Sequence, residues 1–330
     1  MNDMAIMIAK VVFGFVLLFG GAEFMIRGAV ALAKRLGIST LVIGMTVVAM
    51  GTSAPELVVS LSAALSGAEG LAVGNVVGSN IANILLILGV SALITPILVR
   101  PEGFMMDGAV LLAGSLIFAA LAWRGTFDLF AGGVLSVLFV AFLIYSYLRE
   151  KRGGPTADIH IREVEDIGAP PKTAAGIWVE IIGGTTVLII GSELLVDGGV
   201  AIARGAGVSE EVIGLTLIAF GTSLPELAAS VMAAWRGHAE VALGNVLGSN
   251  LFNLLLVIGA VAMIRPLPVA DQIRQFDLGV MLAATVALLP ILAGGRTFGR
   301  IKAALFLAAY GAYIGVQVYG VRNLIALVQS

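Results

Sequence analysis

Long apolar stretches alternate with short polar ones along most of the 330-residue chain. Many of these stretches reach about 18 residues, which is long enough for a helix to cross a bilayer. They predict ten membrane-spanning helices, near residues 5–32, 39–66, 70–95, 104–123, 127–148, 175–203, 209–235, 240–264, 276–294 and 302–326. The strict alternation of a membrane β-barrel strand does not occur. The pattern therefore predicts an all-α polytopic membrane protein.

Composition supports this class of protein. Hydrophobic residues make up 59% of the chain and charged residues 12%, far from the average of a soluble domain. There is no cysteine, which excludes disulfides and thiolate metal sites. The apolar run after Lys10 is too long for the core of a signal peptide, so we interpret it as the first membrane helix.

Two sequence motifs occur twice, at a constant offset. GMTVVAMGTSAPELVVS begins at Gly44 and returns as GLTLIAFGTSLPELAAS at Gly214, while AVGNVVGSNIAN begins at Ala72 and returns as ALGNVLGSNLFN at Ala242. Each half holds five predicted helices, an odd number, so the second half enters the membrane from the opposite face. The sequence therefore predicts two inverted five-helix repeats, 1–148 and 175–330, joined by a polar linker at 149–174.

The distribution of Lys and Arg predicts the orientation. Thirteen of these residues fall on the face that carries the linker and six on the other face. Because cytoplasmic loops are enriched in Lys and Arg, the linker is predicted to be cytoplasmic and both termini outside. We expect a multi-pass protein of the cell (inner) membrane.

Each repeat aligns polar residues on one face of an apolar helix. The first motif has residues at i, i+3, i+4 and i+7, namely Ala49, Thr52, Ser53 and Glu56, which return as Ala219, Thr222, Ser223 and Glu226. The following helix has polar residues four apart, Asn75, Ser79 and Asn83, which return as Asn245, Ser249 and Asn253. Because a carboxylate within a membrane is costly, the two glutamates indicate a functional site.

A proline next to each glutamate predicts a break in the helix. Pro55 and Pro225 lack an N–H, so they should free the carbonyl oxygens of Gly51 and Gly221. Free carbonyls, carboxylates, hydroxyls and amides form an all-oxygen ligand set. Such a set suits the hard cations Ca²⁺ and Na⁺ better than zinc or copper.

Charged residues outside the motifs have structural interpretations. Glu23 and Arg27 are four residues apart, which predicts an ion pair within one helix. Asp107 and Asp277 are predicted at the starts of helices, where a carboxylate complements the helix dipole.

At the repeated motifs the chain resembles the cation/calcium exchanger superfamily, in its microbial sodium/calcium exchanger branch. GTSAPE and GTSLPE, followed by GNVVGSN and GNVLGSN, are similar to the two alpha-repeats of that family. The resemblance implies that Glu56 and Glu226 are the central calcium ligands, together with the carbonyl oxygens of Thr52 and Thr222. It implies that sodium binds the side chains of Ser53, Ser223, Ser79 and Ser249 and the carbonyls of Ala49 and Ala219, and that Asn83 and Asn253 line the centre.

The resemblance implies an antiporter that exchanges Na⁺ for Ca²⁺ by alternating access, with net movement of charge and export of Ca²⁺. It implies no enzymatic activity, no cofactor, no nucleic acid and no obligatory protein partner beside the lipid bilayer. Relatives with potassium co-transport carry an acidic residue at the position of Asn253, and this chain does not. An H⁺/Ca²⁺ or Mn²⁺ antiporter with the same oxygen ligands is the main alternative.

Two other classes of protein are disfavoured. A passive cation channel does not require symmetric buried carboxylates beside broken helices. An intramembrane hydrolase with Ser53 or Ser223 as nucleophile lacks a partner base, because neither histidine lies in a predicted helix.

Overall fold

The computed structural model describes residues 2–99, 101–151, 171, 173–205, 219–294 and 297–320, which are almost entirely helical. In the first half the helices are α1 (Asn2–Leu36), α2 (Thr40–Thr52), α3 (Ala54–Leu65), α4 (Glu69–Ile94), α5 (Pro101–Ala122) and α6 (Leu129–Lys151). In the second half they are α7 (Ala174–Gly205), α8 (Ala219–Gly221), α9 (Leu224–Trp235), α10 (Ala239–Ile264), α11 (Ile273–Ala293) and α12 (Arg300–Tyr319). The two-residue strands are β1 (Ile97–Leu98), β2 (Thr126–Phe127), β3 (Leu267–Pro268) and β4 (Thr297–Phe298).

The helices confirm the predicted class of protein. Within the described ranges, eight helices are long and apolar enough to cross a membrane, and the bent pair α2 and α3 makes a ninth if it is one span. The span predicted near 209–235 begins in residues outside the described ranges. Most of the linker at 149–174 also lies outside them. The full set of ten helices therefore stays a prediction.

The predicted helix break lies just before each proline. Ser53 (φ −86°, ψ 7°) separates α2 from α3, and Ser223 (φ −88°, ψ 4°) precedes α9. Pro55 and Pro225 thus lie in the first turn of a new helix, where an N–H has no acceptor within that helix. The axes of α2 and α3 differ by 42° at this break.

Several helices widen into a π-helical segment, in which hydrogen bonds span five residues. The segments are Gly44–Val48 in α2, Asn83–Ile87 in α4, Phe252–Val257 in α10 and Ile273–Asp277 in α11. The segments in α4 and α10 follow the two GSN motifs at equivalent positions of the repeat. Such widenings occur frequently at functional sites.

The chain forms two compact units, each built from both halves of the sequence. The first unit contains Met1–Pro55 and Val140–Phe252, and the second contains Glu56–Phe139 and Asn253–Ser330. The helix that begins at Ala54 therefore contributes its first residues to one unit and the rest to the other.

In the first unit, α1 and α7 pack in close antiparallel contact through glycines. A methyl group on Gly14 would lie 2.9 Å from the carbonyl oxygen of Gly191, and one on Gly21 would lie 2.6 Å from that of Gly184. A step of seven residues forward in α1 thus matches a step of seven backward in α7. Only glycine permits this approach of two backbones. Helices related by the sequence repeat consequently run in opposite directions.

In the second unit, strands from the two halves pair with one another. Ile97 of β1 pairs with Phe298 of β4, and Phe127 of β2 pairs with Leu267 of β3, both antiparallel. Helix α5 packs against α11, and the C-terminal part of α4 packs against α12, where a methyl group on Gly89 would lie 3.0 Å from Leu307. Each strand therefore finds its partner in the other half of the sequence.

Candidate cation-binding site

Both glutamates of the repeated motif are completely buried. Glu56 lies in the first turn of α3 and Glu226 in the first turn of α9, and both side chains have 0% exposure. At a helix N-terminus the unpaired N–H groups and the helix dipole favour a negative charge. The helix breaks at Ser53 and Ser223 create these N-termini inside the apolar region.

In the first unit, one glutamate contacts the motif of the opposite repeat. The hydroxyl of Ser53 donates a hydrogen bond of 2.7 Å to Oε1 of Glu226. Oε2 of Glu226 is buried and has no hydrogen-bond partner within the described part of the chain. The structure thus brings together two predicted site residues that are 173 positions apart, and one carboxylate oxygen keeps its lone pairs available.

A network of hydrogen bonds surrounds this contact. Thr52 Oγ1 lies 3.2 Å from the amide oxygen of Asn245 and 3.5 Å from the hydroxyl of Ser249. The amide nitrogen of Asn245 donates to Ser230 at 3.0 Å and to the carbonyl oxygen of Glu226 at 3.4 Å. Asn245 is therefore held with its oxygen towards Thr52. Ser230 orients this amide by accepting its N–H.

Four side-chain and carbonyl oxygens meet beside Thr52 and share two hydroxyl protons. Thr52 and Ser249 each carry one of these protons, whereas the amide oxygen of Asn245 and the carbonyl of Ala49, at 3.3 Å, only accept. The Ala49 carbonyl also accepts the N–H of Ser53 at 2.9 Å. Lone pairs that face one another without a proton between them suit a cation.

The second unit repeats part of the network. Asn75 donates to the hydroxyl of Ser60 at 3.2 Å, and these residues are the repeat equivalents of Asn245 and Ser230. Ser79 is also buried there. The duplicated amide-to-serine bond indicates that both repeats orient the same side chain in the same way.

Two further asparagines of the second unit are buried with their polar atoms unsatisfied. Asn83 and Asn253 are 0% exposed, and neither amide oxygen nor amide nitrogen has a hydrogen-bond partner among the described residues. An unpaired buried amide costs free energy, and in a native protein it calls for a ligand, water or ion. The unsatisfied atoms therefore fit a site that receives ions.

The remaining predicted residues of the second motif lie around the break before α9. Ser223 is buried and its carbonyl accepts the N–H of Leu227 at 3.0 Å, while Thr222 is half-buried. Ala219 begins α8, and the residues just before it lie outside the described ranges. Among the residues that the structure describes, no group of three or more acidic, His or Cys side chains converges.

The carbonyl that Pro225 frees has a specific partner that sequence reasoning missed. Ser192 of α7 donates its hydroxyl to the carbonyl oxygen of Gly221 at 2.9 Å, and it supplies the hydrogen bond that Pro225 cannot make. The equivalent residue of the first half is Ala22, so the sequence repeat carried no signal for this role.

Two structural expectations about other charges were wrong. Glu23 pairs with Arg236 at 2.7 Å rather than with Arg27, which pairs instead with Glu180 at 3.2 Å. Asp277 does not start a helix, because it ends a π-helical segment and accepts hydrogen bonds from Tyr313 and Gln317. Asp107 likewise lies inside α5.

Comparison with known proteins adds the family. A family model described as sodium/calcium exchanger protein matches residues 6–148 and 176–319. The sodium/calcium exchanger MaX1 of Methanosarcina acetivorans is 31% identical over 93% of this chain and 97% of its own length. The inner membrane protein YrbG of Escherichia coli is 35% identical over 84% and 86%. A solved structure of the sodium-calcium exchanger NCX_Mj matches with a TM-score of 0.82 and 32% identity over 95% of this chain and 99% of that one.

Proposed function

Because this chain belongs to the sodium/calcium exchanger family of the cation/calcium exchanger superfamily, we propose that it exchanges Na⁺ for Ca²⁺ as an electrogenic antiporter. Members of this family are transporters of these ions, so antiport of a cation against Ca²⁺ is the established part of the function. Coupling to Na⁺, net charge movement and Ca²⁺ export are the proposal. The observation that carries it is the contact between Ser53 of one repeat and the buried Glu226 of the other.

We assign Glu56 and Glu226 as the charged Ca²⁺ ligands, with the carbonyl oxygens of Thr52 and Thr222 beside them. Burial of both glutamates and the unpaired Oε2 of Glu226 support this assignment. Asn83 and Asn253 then supply amide oxygens to the ions, which accounts for their unsatisfied polar atoms. For Na⁺ we assign neutral oxygens, from the side chains of Ser53, Ser79, Ser223 and Ser249 and the carbonyls of Ala49 and Ala219.

Buried carboxylates favour exchange over leak. One Ca²⁺ neutralises two glutamates, whereas a protein without bound ions would carry both charges through an apolar passage. A single unpaired charge at the centre of a membrane costs about 2.5–3.5 kcal/mol even by low estimates. The unloaded protein therefore changes conformation rarely, and each transit requires a cation.

An inverted repeat gives such a transporter two equivalent conformations, open to opposite sides. The antiparallel packing of α1 against α7 and the cross-pairing of the strands support this architecture. The proposal includes ten spans, both termini outside and the linker at 149–174 in the cytoplasm.

A flux assay tests the coupling ion. Proteoliposomes loaded with Na⁺ and diluted into Na⁺-free buffer should take up ⁴⁵Ca²⁺, and an imposed inside-positive potential should accelerate the uptake. Vesicles with equal Na⁺ on both sides should take up none. Uptake that depends on a proton gradient and not on Na⁺ would favour the H⁺/Ca²⁺ antiporter. The same assay with Mn²⁺ in place of Ca²⁺ tests the Mn²⁺ antiporter.

Substitution of the two glutamates tests the ligand assignment. Glu56→Gln and Glu226→Gln should each abolish exchange, because the site loses a charge that balances Ca²⁺. Glu193→Gln is the matched control, since Glu193 is an exposed glutamate of α7. Size-exclusion profiles should be unchanged in all three proteins. Exchange at the native rate in both motif variants would place the Ca²⁺ site elsewhere.

A further inference from the structure

A cavity of about 410 Å³ opens in the first unit, and Thr46 and Val47 at the start of the first repeated motif belong to its lining. Its walls come from the end of α1, the first part of α2, the end of α6 and the start of α7. We propose that this cavity binds one phospholipid with an anionic headgroup, and that the bound lipid acts on α2. Binding of the lipid is independent of the proposed function. The effect of the lipid on ion exchange rests on the proposed function.

The walls of the cavity are apolar and suit an acyl chain. Leu32 of α1, Val42 and Val47 of α2, Leu143 of α6 and Ile177 of α7 all line it. These side chains come from four helices, so the cavity is a groove between elements rather than a gap within one. In a bilayer an open groove of this kind is filled by hydrocarbon rather than water.

One cation lies at the headgroup end of the cavity. Arg35, in the last turn of α1, is the only charged residue of the lining, and it makes no ion pair or hydrogen bond with the described part of the chain. A guanidinium group matches the geometry of a phosphate through paired N–H donors. The charge therefore selects an anionic lipid over a zwitterionic one.

Two aromatic residues with polar tips mark the level of the membrane interface. Tyr147 and Trp178 line the cavity and remain 64% and 47% exposed. Such side chains concentrate where the hydrocarbon meets the headgroups. They place the open end of the cavity at the depth of lipid phosphates, as Arg35 requires.

The cavity touches the helix that carries the first motif. Thr46 and Val47 belong to the π-helical segment of α2, and Thr52 follows Thr46 by six residues on the same helix. A lipid packed against this segment restrains the part of α2 that precedes the helix break. We therefore expect occupancy to change the rate of ion exchange.

Quenching of Trp178 fluorescence by brominated lipid tests the binding. The chain has three tryptophans, so Trp123→Phe and Trp235→Phe leave Trp178 as the only emitter. The protein is reconstituted in phosphatidylcholine vesicles that contain a small fraction of brominated phosphatidylglycerol or of brominated phosphatidylcholine. We expect stronger quenching by the anionic lipid, saturating at a low mole fraction.

Arg35→Gln should reduce the preference for the anionic lipid about fivefold, from the contribution of one cation near a membrane surface. Lys302→Gln is the control, because Lys302 does not line the cavity and should keep the native preference. Equal quenching by the two lipids in the native protein, or an undiminished preference in Arg35→Gln, would overturn the proposal.

The effect on transport is measured separately. Val47→Phe narrows the groove without removing its charge, so exchange in phosphatidylglycerol vesicles should become equal to that in phosphatidylcholine vesicles. If native protein shows no exchange in either lipid, the proposed function fails while the quenching result stands. If native exchange is the same in both lipids, the action of the lipid on α2 is refuted.

Discussion

The hydroxyl of Ser53 donates a hydrogen bond to the carboxylate of Glu226, which is completely buried. Glu226 has lone pairs for about four hydrogen bonds and receives this one from a side chain of the opposite repeat. Hydrogen bonds to charged groups are worth about 1.5–3 kcal/mol, and their loss leaves the charge uncompensated.

Removal of that hydroxyl should therefore destabilise the ion-free protein. We expect Ser53→Ala to lower the free energy of unfolding by about 1.5–3 kcal/mol in buffer without Na⁺ or Ca²⁺. Thermal unfolding in detergent measures it. Ser62→Ala, an exposed serine of α3, should leave stability unchanged. Equal stability of the two variants would show that Ser53 does not hold the carboxylate.

Ser192 offers a second test at the scale of one side chain. Ser192→Ala leaves the Gly221 carbonyl without its donor next to Pro225, and the expected cost is about 1–3 kcal/mol. Thr186→Ala is the control, because the Thr186 hydroxyl bonds to its own helix at Ile182 and faces outward. A smaller loss for Ser192→Ala than for Thr186→Ala would contradict the role given to Ser192.

The sequence predicted the residues that repeat and missed those that do not. Glu56 and Glu226 were recognisable because a buried carboxylate is costly and both halves keep it. Ser192 was not, since its partner lies on another helix and its repeat equivalent is an alanine. The Glu23–Arg27 pair was wrong for a similar reason: spacing along one helix says nothing about Glu180 on its neighbour.

At the scale of helices, the contact between α1 and α7 depends on individual glycines. Gly21→Ala places a methyl group against the backbone of Gly184 and Leu188, which forces the two helices apart. We expect a loss of about 1–3 kcal/mol in unfolding free energy. Gly20→Ala is a matched control, because nothing lies within 4 Å of its added methyl group. Thermal unfolding of both variants measures this loss. An equal loss of stability in Gly21→Ala and Gly20→Ala would mean that α1 and α7 do not pack as described.

Helices were predictable from the sequence, and the finer elements were not. The apolar runs located the spanning helices, although α1 extends from Asn2 to Leu36 rather than 5–32. Each two-residue strand is too short to show any periodicity. The π-helical segments share no composition that would mark them, since NILLI in α4 is mostly apolar and IRQFD in α11 is mostly polar.

At the scale of the whole molecule, an ion pair joins α1 to the end of α9. Arg236 contacts both carboxylate oxygens of Glu23, at 2.9 and 2.7 Å, from the residue that follows α9. Helix α9 carries Glu226 in its first turn. Any movement of α1 past α9 must break this pair, so the pair restrains that movement.

Loss of the pair should change the rate of exchange more than stability. A partly exposed pair contributes at most about 1 kcal/mol, which corresponds to about fivefold in a rate. If the proposed function holds, Arg236→Gln should alter ⁴⁵Ca²⁺ exchange by up to that factor with little change in unfolding. The charge swap Glu23→Arg with Arg236→Glu should restore the native rate of exchange. Arg265→Gln should leave that rate unchanged. No rescue by the swap would argue against direct pairing.

The duplication showed which residues are equivalent, but it did not show which of them pack together. The boundary between the repeats is predicted in the linker at 149–174. The compact units divide the chain at three other places, between Pro55 and Glu56, between Phe139 and Val140 and between Phe252 and Asn253. Sequence similarity compares one half with the other. Packing is decided by long-range contacts such as Ser53 with Glu226, which no local pattern encodes.

The cross-paired strands constrain how the protein is made. During synthesis, β1 is complete about 200 residues before its partner β4. Strand β2 is likewise made before its partner β3. The first half therefore enters the bilayer with strand edges that nothing yet covers, and such edges invite pairing with the wrong chain. A polypeptide that stops before Thr297 can never close the pair with β1. The last stretch of the chain thus completes a structure that the first half began.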